Sequence, residues 1–138
     1  MTEQPFKLVN KLSEVTRLKD LLQAWSDEQG LTERDFSVLR LCSEELLVNI
    51  VENAYLDQDE HEILCWVKAE DDHVVLSFQD DGEMFDPTEL DEPDDPEDLQ
   101  SASTRGRGIA MVKTFSEDMD YDFADGFNTL HVRLRRTG

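Results

Sequence analysis

The sequence predicts an α+β fold: a two-layer sandwich in which helices cover one face of a mixed, mostly antiparallel sheet. Two long segments in the first half of the chain place apolar residues at helical spacing. Two later stretches, residues 62–79 and 119–134, each hold a pair of apolar-rich segments around a tight turn, which is typical of antiparallel hairpins. Helices that cover one face of a largely antiparallel sheet give a two-layer α+β sandwich.

The chain is predicted to begin with a short edge strand over residues 6–10, followed by a helix. Ser13 is the predicted N-cap, with Glu14 in the first turn, and Gly30 is the predicted C-cap. This helix either covers the sheet within one chain or forms a contact between copies of the chain, and the sequence leaves both open. Its apolar face consists of Val15, Leu18, Leu22 and Trp25.

A second helix is predicted from Thr32 to about residue 56, with Asp35 three residues after the cap as in a capping box. The other elements follow from strand and turn signals. They are strands over residues 62–69, 73–79, 119–123 and 129–134, turns at 71–72 and 125–126, and a glycine-led helix over residues 106–115.

A polar stripe interrupts the apolar run of the second helix. Glu45, Asn49 and Asn53 recur every four residues and therefore lie on one face. One interpretation is a solvated or inter-helix polar face. The other is a site in which Asn49 offers a neutral oxygen to Mg²⁺ and Glu45, one turn earlier, acts as a general base.

Two further motifs carry candidate chemistry. Asp80 ends a strand and could accept a hydrogen bond from an exocyclic amine such as the N6 of adenine, while Gly82 would let the backbone approach the ring; an Asp- and Gly-rich turn is the alternative. The G-x-G of Gly106 and Gly108 opens a helix, whose free N–H groups suit a phosphate; a glycine-led turn is the alternative. Arg105 adds local positive charge there, which favours an anion.

Composition and charge narrow the class of partner. The 138 residues predict one domain, and no apolar run reaches the ~20 residues of a membrane span. No signal peptide is apparent, so a cytoplasmic protein is expected. The net charge of −20 disfavours direct nucleic-acid binding; it favours a basic protein partner or only keeps the chain soluble. Cys42 and Cys65 lie in apolar runs and are predicted to be buried hydrophobic residues.

The loop before the G-x-G is the most acidic part of the chain. Residues 86–99 hold three prolines and eight acidic residues, which cannot continue a sheet. The order of motifs along the chain resembles that of the GHKL family of ATPases (gyrase, Hsp90, histidine kinase, MutL). These motifs are an E-x-x-x-N helix, a strand-end D-x-G, this loop and a G-x-G before a helix. The resemblance implies the Bergerat/GHKL ATP-binding fold, with a nucleotide lid at about residues 86–105.

Within that family the chain resembles the small anti-sigma-factor serine kinases of bacterial stress and sporulation control, over nearly its whole length. The stretches D-D-G-E-M-F-D-P and F-A-D-G-F-N-T-L are typical of this subgroup, although Met84 stands where many GHKL proteins have a second glycine. The resemblance implies Glu45 as catalytic base, Asn49 as Mg²⁺ ligand and Asp80 as adenine acceptor. The other nucleotide-binding positions that it implies are Asn53, Gly82, Thr104, Arg105, Gly106 and Gly108.

The resemblance also implies an activity and partners. These kinases use ATP and Mg²⁺ to phosphorylate an antagonist protein of the STAS type, and the unmodified antagonist releases a sigma factor that the kinase otherwise sequesters. The alternative is a nucleotide-gated protein-binding module of the same fold with little or no turnover; the presence of both Glu45 and Asn49 favours the enzyme. A homodimer with its contact in residues 6–25 is implied, and no membrane partner is expected.

Overall fold

The structure is a computed structural model that describes residues 4–89 and 104–137, with side chains positioned at 4–88 and 108–137. Five strands and three helices are present in these ranges, together with a short 3₁₀ turn at Pro87–Glu89. In chain order they are β1 (Phe6–Val9), α1 (Glu14–Gln29), α2 (Glu33–Asn53), β2 (Glu62–Ala69), β3 (His73–Asp80), α3 (Thr104–Phe115), β4 (Ser116–Ala124) and β5 (Phe127–Arg135).

The strands form one sheet in the order β1-β2-β3-β5-β4. Every pairing within the described ranges is antiparallel, so the sheet is antiparallel rather than mixed. The two predicted hairpins, β2–β3 and β4–β5, are joined through β3 and β5, where Asp80 pairs with Asn128. This register brings the end of β3 beside the start of β5, at the edge of the sheet where the candidate site lies.

The core lies between the sheet and the helices, as the two-layer prediction required. Side chains alternate between the two faces of a strand, and β5 therefore buries Leu130, Val132 and Leu134 while His131 and Arg135 stay exposed. The helices contribute residues that are fully buried against these strands. One apolar layer therefore holds the helices and the sheet together. Among them are Leu18, Leu22, Leu39, Leu47, Ile109 and Val112.

Local signals set most of the helix ends. Gly30 has φ of 71°, and the next residue, Leu31, donates to the Ser26 carbonyl at 3.1 Å, which closes α1 with a left-handed cap. The Thr32 hydroxyl accepts from the Asp35 N–H at 3.0 Å and caps α2 as predicted. Ser13, by contrast, makes no side-chain cap on α1. Ser13 occupies the predicted N-cap position, but the prediction that its side chain caps the helix is wrong.

Helix α2 ends at Asn53, three residues before the predicted end. The reason is a tertiary contact. The Ala54 carbonyl accepts from the Glu83 N–H at 2.8 Å, so the loop after β3 takes the bond that a longer helix would have used. Sequence periodicity carries no information about a partner that is 29 positions away.

The second hairpin is longer than predicted. Both Asp125 (φ 56°) and Gly126 (φ 85°) have left-handed backbone, which is the geometry of a type I′ turn. Such a turn matches the twist of the flanking strands, so pairing continues to Ala124 and Phe127 on its two sides. The register shifts once, between Ser116 and Asp118.

The predictions about a membrane span and about the lid can be examined only within the described residues. No helix within residues 4–89 and 104–137 is long and apolar enough to cross a membrane. The predicted lid at residues 86–105 is described only at its start, where Asp86 Oδ1 accepts from the Thr88 N–H at 2.8 Å, and at the backbone of 104–105. Residues 90–103 lie outside the described residues, so the lid stays a prediction.

Candidate functional site

A cavity opens between α2 and the ends of β3, β4 and β5, and the stretch that follows β3 closes one side of it. Its walls are mostly apolar or aromatic, and a few polar side chains converge on it, which is the usual character of a small-molecule site. The cavity is lined by Leu46, Asn49, Ile50, Ala54, Phe78, Asp80, Glu83, Phe85, Pro87, Tyr121, Asn128 and Leu130.

Asp80 lies on the wall of this cavity at the end of β3 and is only 7% exposed. Its Oδ1 accepts from the Gly82 N–H at 2.9 Å and from Asn128 Nδ2 at 3.1 Å. Burial raises the pKa of the Asp80 carboxyl, and these two hydrogen bonds oppose that shift. Within the described part of the chain no group donates to Oδ2, which can therefore accept a hydrogen bond from a ligand amine.

Asn128 organises this end of the cavity, and sequence reasoning did not assign it a role. Besides Asp80, its Nδ2 donates to the backbone carbonyls of Gly82 at 3.2 Å and Glu83 at 2.9 Å. Its Oδ1 accepts from the Phe85 N–H at 3.1 Å and from the Tyr121 hydroxyl. One buried amide thus fixes Asp80 and the stretch after it against β4. The sequence did hold a signal, because Asn is depleted in strands yet stands here in the alternation that buries Leu130 and Val132.

Gly82 has a packing reason for being glycine. A Cβ at this position would lie 2.5 Å from both the carbonyl oxygen and the Cβ of Ala54, so only glycine allows the loop to approach the end of α2 this closely. Gly82 is not part of the cavity wall. Its predicted role, letting the backbone approach a nucleotide ring, therefore stays a prediction beside the contact with α2.

The polar stripe of α2 divides between two environments. Asn49 lines the cavity, and Asn53 Nδ2 donates to its backbone oxygen at 3.1 Å and its side-chain oxygen at 3.3 Å. Asn53 therefore supports Asn49 from one turn later, without lining the cavity itself. Glu45 lies one turn earlier and is not among the lining residues.

Glu45 faces α3 instead. A Cβ built on the buried Gly108 would lie 2.6 Å from Glu45 Oε2, so the carboxylate rests directly on the backbone of α3. Burial, and then the charge of Glu44, raise the pKa of the Glu45 carboxyl above its ordinary value. A raised pKa lies closer to neutral pH and makes the carboxylate a stronger base, which suits a general base in catalysis.

The remaining predicted residues are Thr104, Arg105 and Gly106, which form the first turn of α3. Their side chains lie outside the described residues, so their predicted contacts with phosphate stay predictions. The structure thus brings Asp80 and Asn49 onto one cavity, places Gly82 and Asn53 beside it, and places Glu45 and Gly108 together at the α2–α3 contact.

The side chains of this site fit the groups of a nucleotide and of a metal ion bound to it. A cavity with aromatic walls and one available carboxylate oxygen fits a purine base that carries an amine. The described ranges hold no cluster of three or more metal-ligating His, Cys, Asp or Glu side chains. The Asn49 amide oxygen fits Mg²⁺ as a single protein ligand, since phosphates and water supply most ligands of nucleotide-bound Mg²⁺.

Together, this fold and site define an ATP-binding domain of the histidine kinase-like type. The chain matches the histidine kinase-like ATPase domain over residues 8–134 and belongs to that family. It is similar to the serine/threonine-protein kinase BtrW of Bordetella bronchiseptica, with 29% identity over 110 residues that cover 77% of this chain and 78% of BtrW. Its fold is similar to that of the Acinetobacter baumannii histidine kinase AdeS (TM-score 0.51, 10% identity, 99% of this chain and 70% of that one).

Proposed function

We propose that the protein is an ATP- and Mg²⁺-dependent serine/threonine kinase. The observation that carries the proposal is the Asp80–Asn128 arrangement, in which a buried carboxylate is held by Oδ1 and keeps Oδ2 for a ligand amine. ATP supplies the phosphoryl group when bound. The similarity to a protein named as a serine/threonine kinase supports the same activity.

Different residues would bind the base, hold the metal ion and accept the proton. Asp80 accepts from the exocyclic amine of adenine, and the rings of Phe78, Phe85 and Tyr121 bury the base and exclude water. Asn49 would hold Mg²⁺ through its amide oxygen. Glu45, one helical turn away, would take the proton from the hydroxyl of the protein substrate.

For the partner, we propose a STAS-type antagonist protein as substrate and a sigma factor as the protein that the kinase sequesters. Support comes from the sequence resemblance and from the net charge of −20, which favours a basic partner surface. Co-purification followed by mass spectrometry, with and without ATP, tests both. Recovery of no STAS protein and no sigma factor under either condition would count against these partners.

We also propose a homodimer whose contact lies in residues 6–25. The outer edge of β1 is already occupied, because Lys7 O accepts from Arg17 at 3.0 Å and the Val9 N–H donates to Glu14 at 2.9 Å. The contact therefore uses side chains such as Leu12, which is 54% exposed, rather than strand pairing. Sedimentation equilibrium at about 100 μM, far above a micromolar dissociation constant, should show a dimer; a monomer would contradict this.

The second candidate function is a nucleotide-gated binding module with little or no turnover. The observation that favours it is that Glu45 rests on Gly108 instead of lining the cavity. Glu45→Gln separates the two functions, with Glu52→Gln as a control that changes an exposed carboxylate on the same helix. In the kinase, Glu45→Gln should bind ATP normally by calorimetry and transfer phosphate about 10²–10⁴-fold more slowly, as loss of a general base predicts.

The control variant should keep the wild-type rate, because Glu52 is exposed on α2 and does not line the cavity. Equal rates for Glu45→Gln and wild type would remove Glu45 as the base. ATP binding without any phosphotransfer by the wild type, with the co-purified partner as substrate, would favour the binding module.

A further inference from the structure

The loop between α2 and β2 carries a histidine whose ring is held on three sides. His61 Nε2 lies 2.8 Å from Asp57 Oδ1, and its Nδ1 lies 3.3 Å from Asp81 Oδ1. The ring stacks on Tyr55 with centroids 4.1 Å apart and an interplanar angle of 11°. Its backbone N–H donates to Asn10 Oδ1 at 2.8 Å.

Donation to both carboxylates at once needs the charged form of the ring. A neutral imidazole has one N–H and one acceptor nitrogen, so it cannot donate to two carboxylates; the imidazolium donates from both nitrogens. The hydrogen bond with Asp57, and then that with Asp81, raise the pKa of the His61 imidazole. Further charged groups adjoin these residues in the chain: Asp80 precedes Asp81, and Glu60 and Glu62 flank His61, with Glu60 paired to Lys11 at 3.5 Å on the surface.

Asp81 connects this histidine to the nucleotide site. It directly follows Asp80, and two residues later the Glu83 N–H is tied to the end of α2. The stretch after β3 is thus held by Asn128 and Ala54 from inside and by His61 from outside. When the ring loses a proton, the longer contact, the one with Asp81, is the weaker of the two and is lost first.

We propose that His61 is a positioning residue of the nucleotide site: its imidazolium ties Asp81 to the loop after α2 and so keeps the adjacent Asp80 oriented toward a ligand amine. The inference rests on the proposed function, because it assigns the cavity to a nucleotide. The sign follows from the geometry. The His61–Asp81 contact is fully formed at low pH, where the ring is charged. It is lost as the pH rises through the pKa of His61, which is raised above the ordinary 6.5.

The test is ATP affinity at about pH 6 and about pH 8.5, on either side of a histidine titration, measured by calorimetry on the full chain. Wild-type affinity should fall about two- to fivefold more than that of His61→Gln over this range, the scale of one partly exposed ion pair. His73→Gln is the matched control. Its ring contacts Glu117 at 2.9 Å at the other end of β3, so its profile should follow the wild type.

An identical pH profile for wild type and His61→Gln would overturn the proposal while leaving nucleotide binding intact. Absence of ATP binding at both pH values would instead overturn the proposed function, and the two failures are therefore distinguishable. NMR adds a readout without nucleotide: the Gly82 amide should titrate together with the His61 ring. A Gly82 amide signal that does not change as His61 titrates would also overturn the proposal.

Discussion

The two ends of the candidate site are built differently, and their glycines show it. At the Asp80 end, Gly82 lies against the backbone of Ala54, where a Cβ would be 2.5 Å from the carbonyl oxygen. At the Glu45 end, Gly108 lies against the tip of a carboxylate side chain, where a Cβ would be 2.6 Å from Oε2. A backbone cannot move aside cheaply, whereas a side-chain tip can rotate. The first end is therefore rigid and prebuilt, and the second is adjustable.

This difference suits a kinase, because binding profits from a fixed pocket and catalysis must accommodate a second protein. The rigid end holds Asp80, the proposed adenine acceptor, beside Asn128, which makes five hydrogen bonds with Asp80 and the surrounding residues. The adjustable end holds the proposed base, Glu45, on a helix whose first turn carries the glycine motif. Substitutions at the two ends should therefore separate stability from turnover.

The largest effect on stability is expected for Asn128→Ala. This change removes all five hydrogen bonds of Asn128, including the one to the buried Asp80. A buried polar group that loses a partner costs about 1–3 kcal/mol before relaxation or water entry. We expect the free energy of unfolding to fall by about 2–4 kcal/mol in urea denaturation. Thr129→Ala is the control, because it loses one bond, with Gln79, on the opposite face of β5. Equal losses for the two variants would show that the Asn128 network adds no rigidity.

A smaller but clear loss is expected for Gly82→Ala. The new methyl group meets Ala54 from the loop side and must push backbone against backbone, and overpacking of this kind costs about 1–3 kcal/mol. Nucleotide affinity should fall with it, since the displaced loop carries the Gly82 N–H that bonds Asp80. Thermal unfolding and calorimetry measure the two quantities. A variant with wild-type stability would mean that the loop is as adjustable as the other end.

The smallest effect on stability is expected for Gly108→Ala. Glycine inside a helix is less stable than alanine by about 0.5–1 kcal/mol, and this gain offsets the displacement of the Glu45 carboxylate. We expect a net stability change within about 1 kcal/mol, together with slower phosphotransfer because the proposed base has moved. A strongly destabilised Gly108→Ala protein would contradict the adjustable character of this end.

The sequence allowed prediction of nearly every element, because each has an amphipathic pattern or a turn signal of its own. What it could not supply were features that depend on distant residues. The end of α2 is set by Glu83, and the β1–α1 junction by Glu14, whose carboxylate accepts from Val9 and Arg17 instead of leaving the cap to Ser13. Asn128 was missed for the same reason, since its five partners come from β3, β4 and the loop after β3. Asp80 and Asn49 could be singled out from the sequence because their motif spacing is local, and both line the cavity, while their roles stay predictions.

In the proposed site, Asp80 Oδ2 accepts a hydrogen bond from the exocyclic amine of adenine, and a double-mutant cycle by calorimetry measures this contact. The two changes are Asp80→Asn in the protein and removal of the N6 amine from the nucleotide, with purine riboside triphosphate in place of ATP. Wild type should lose about 1–3 kcal/mol of binding free energy when the amine is removed, and Asp80→Asn should lose a similar amount with ATP, as for a mispaired buried hydrogen bond. Removal of the amine should then cost the variant almost nothing more. Equal losses for wild type and variant would show that Asp80 does not contact the amine and would contradict the account.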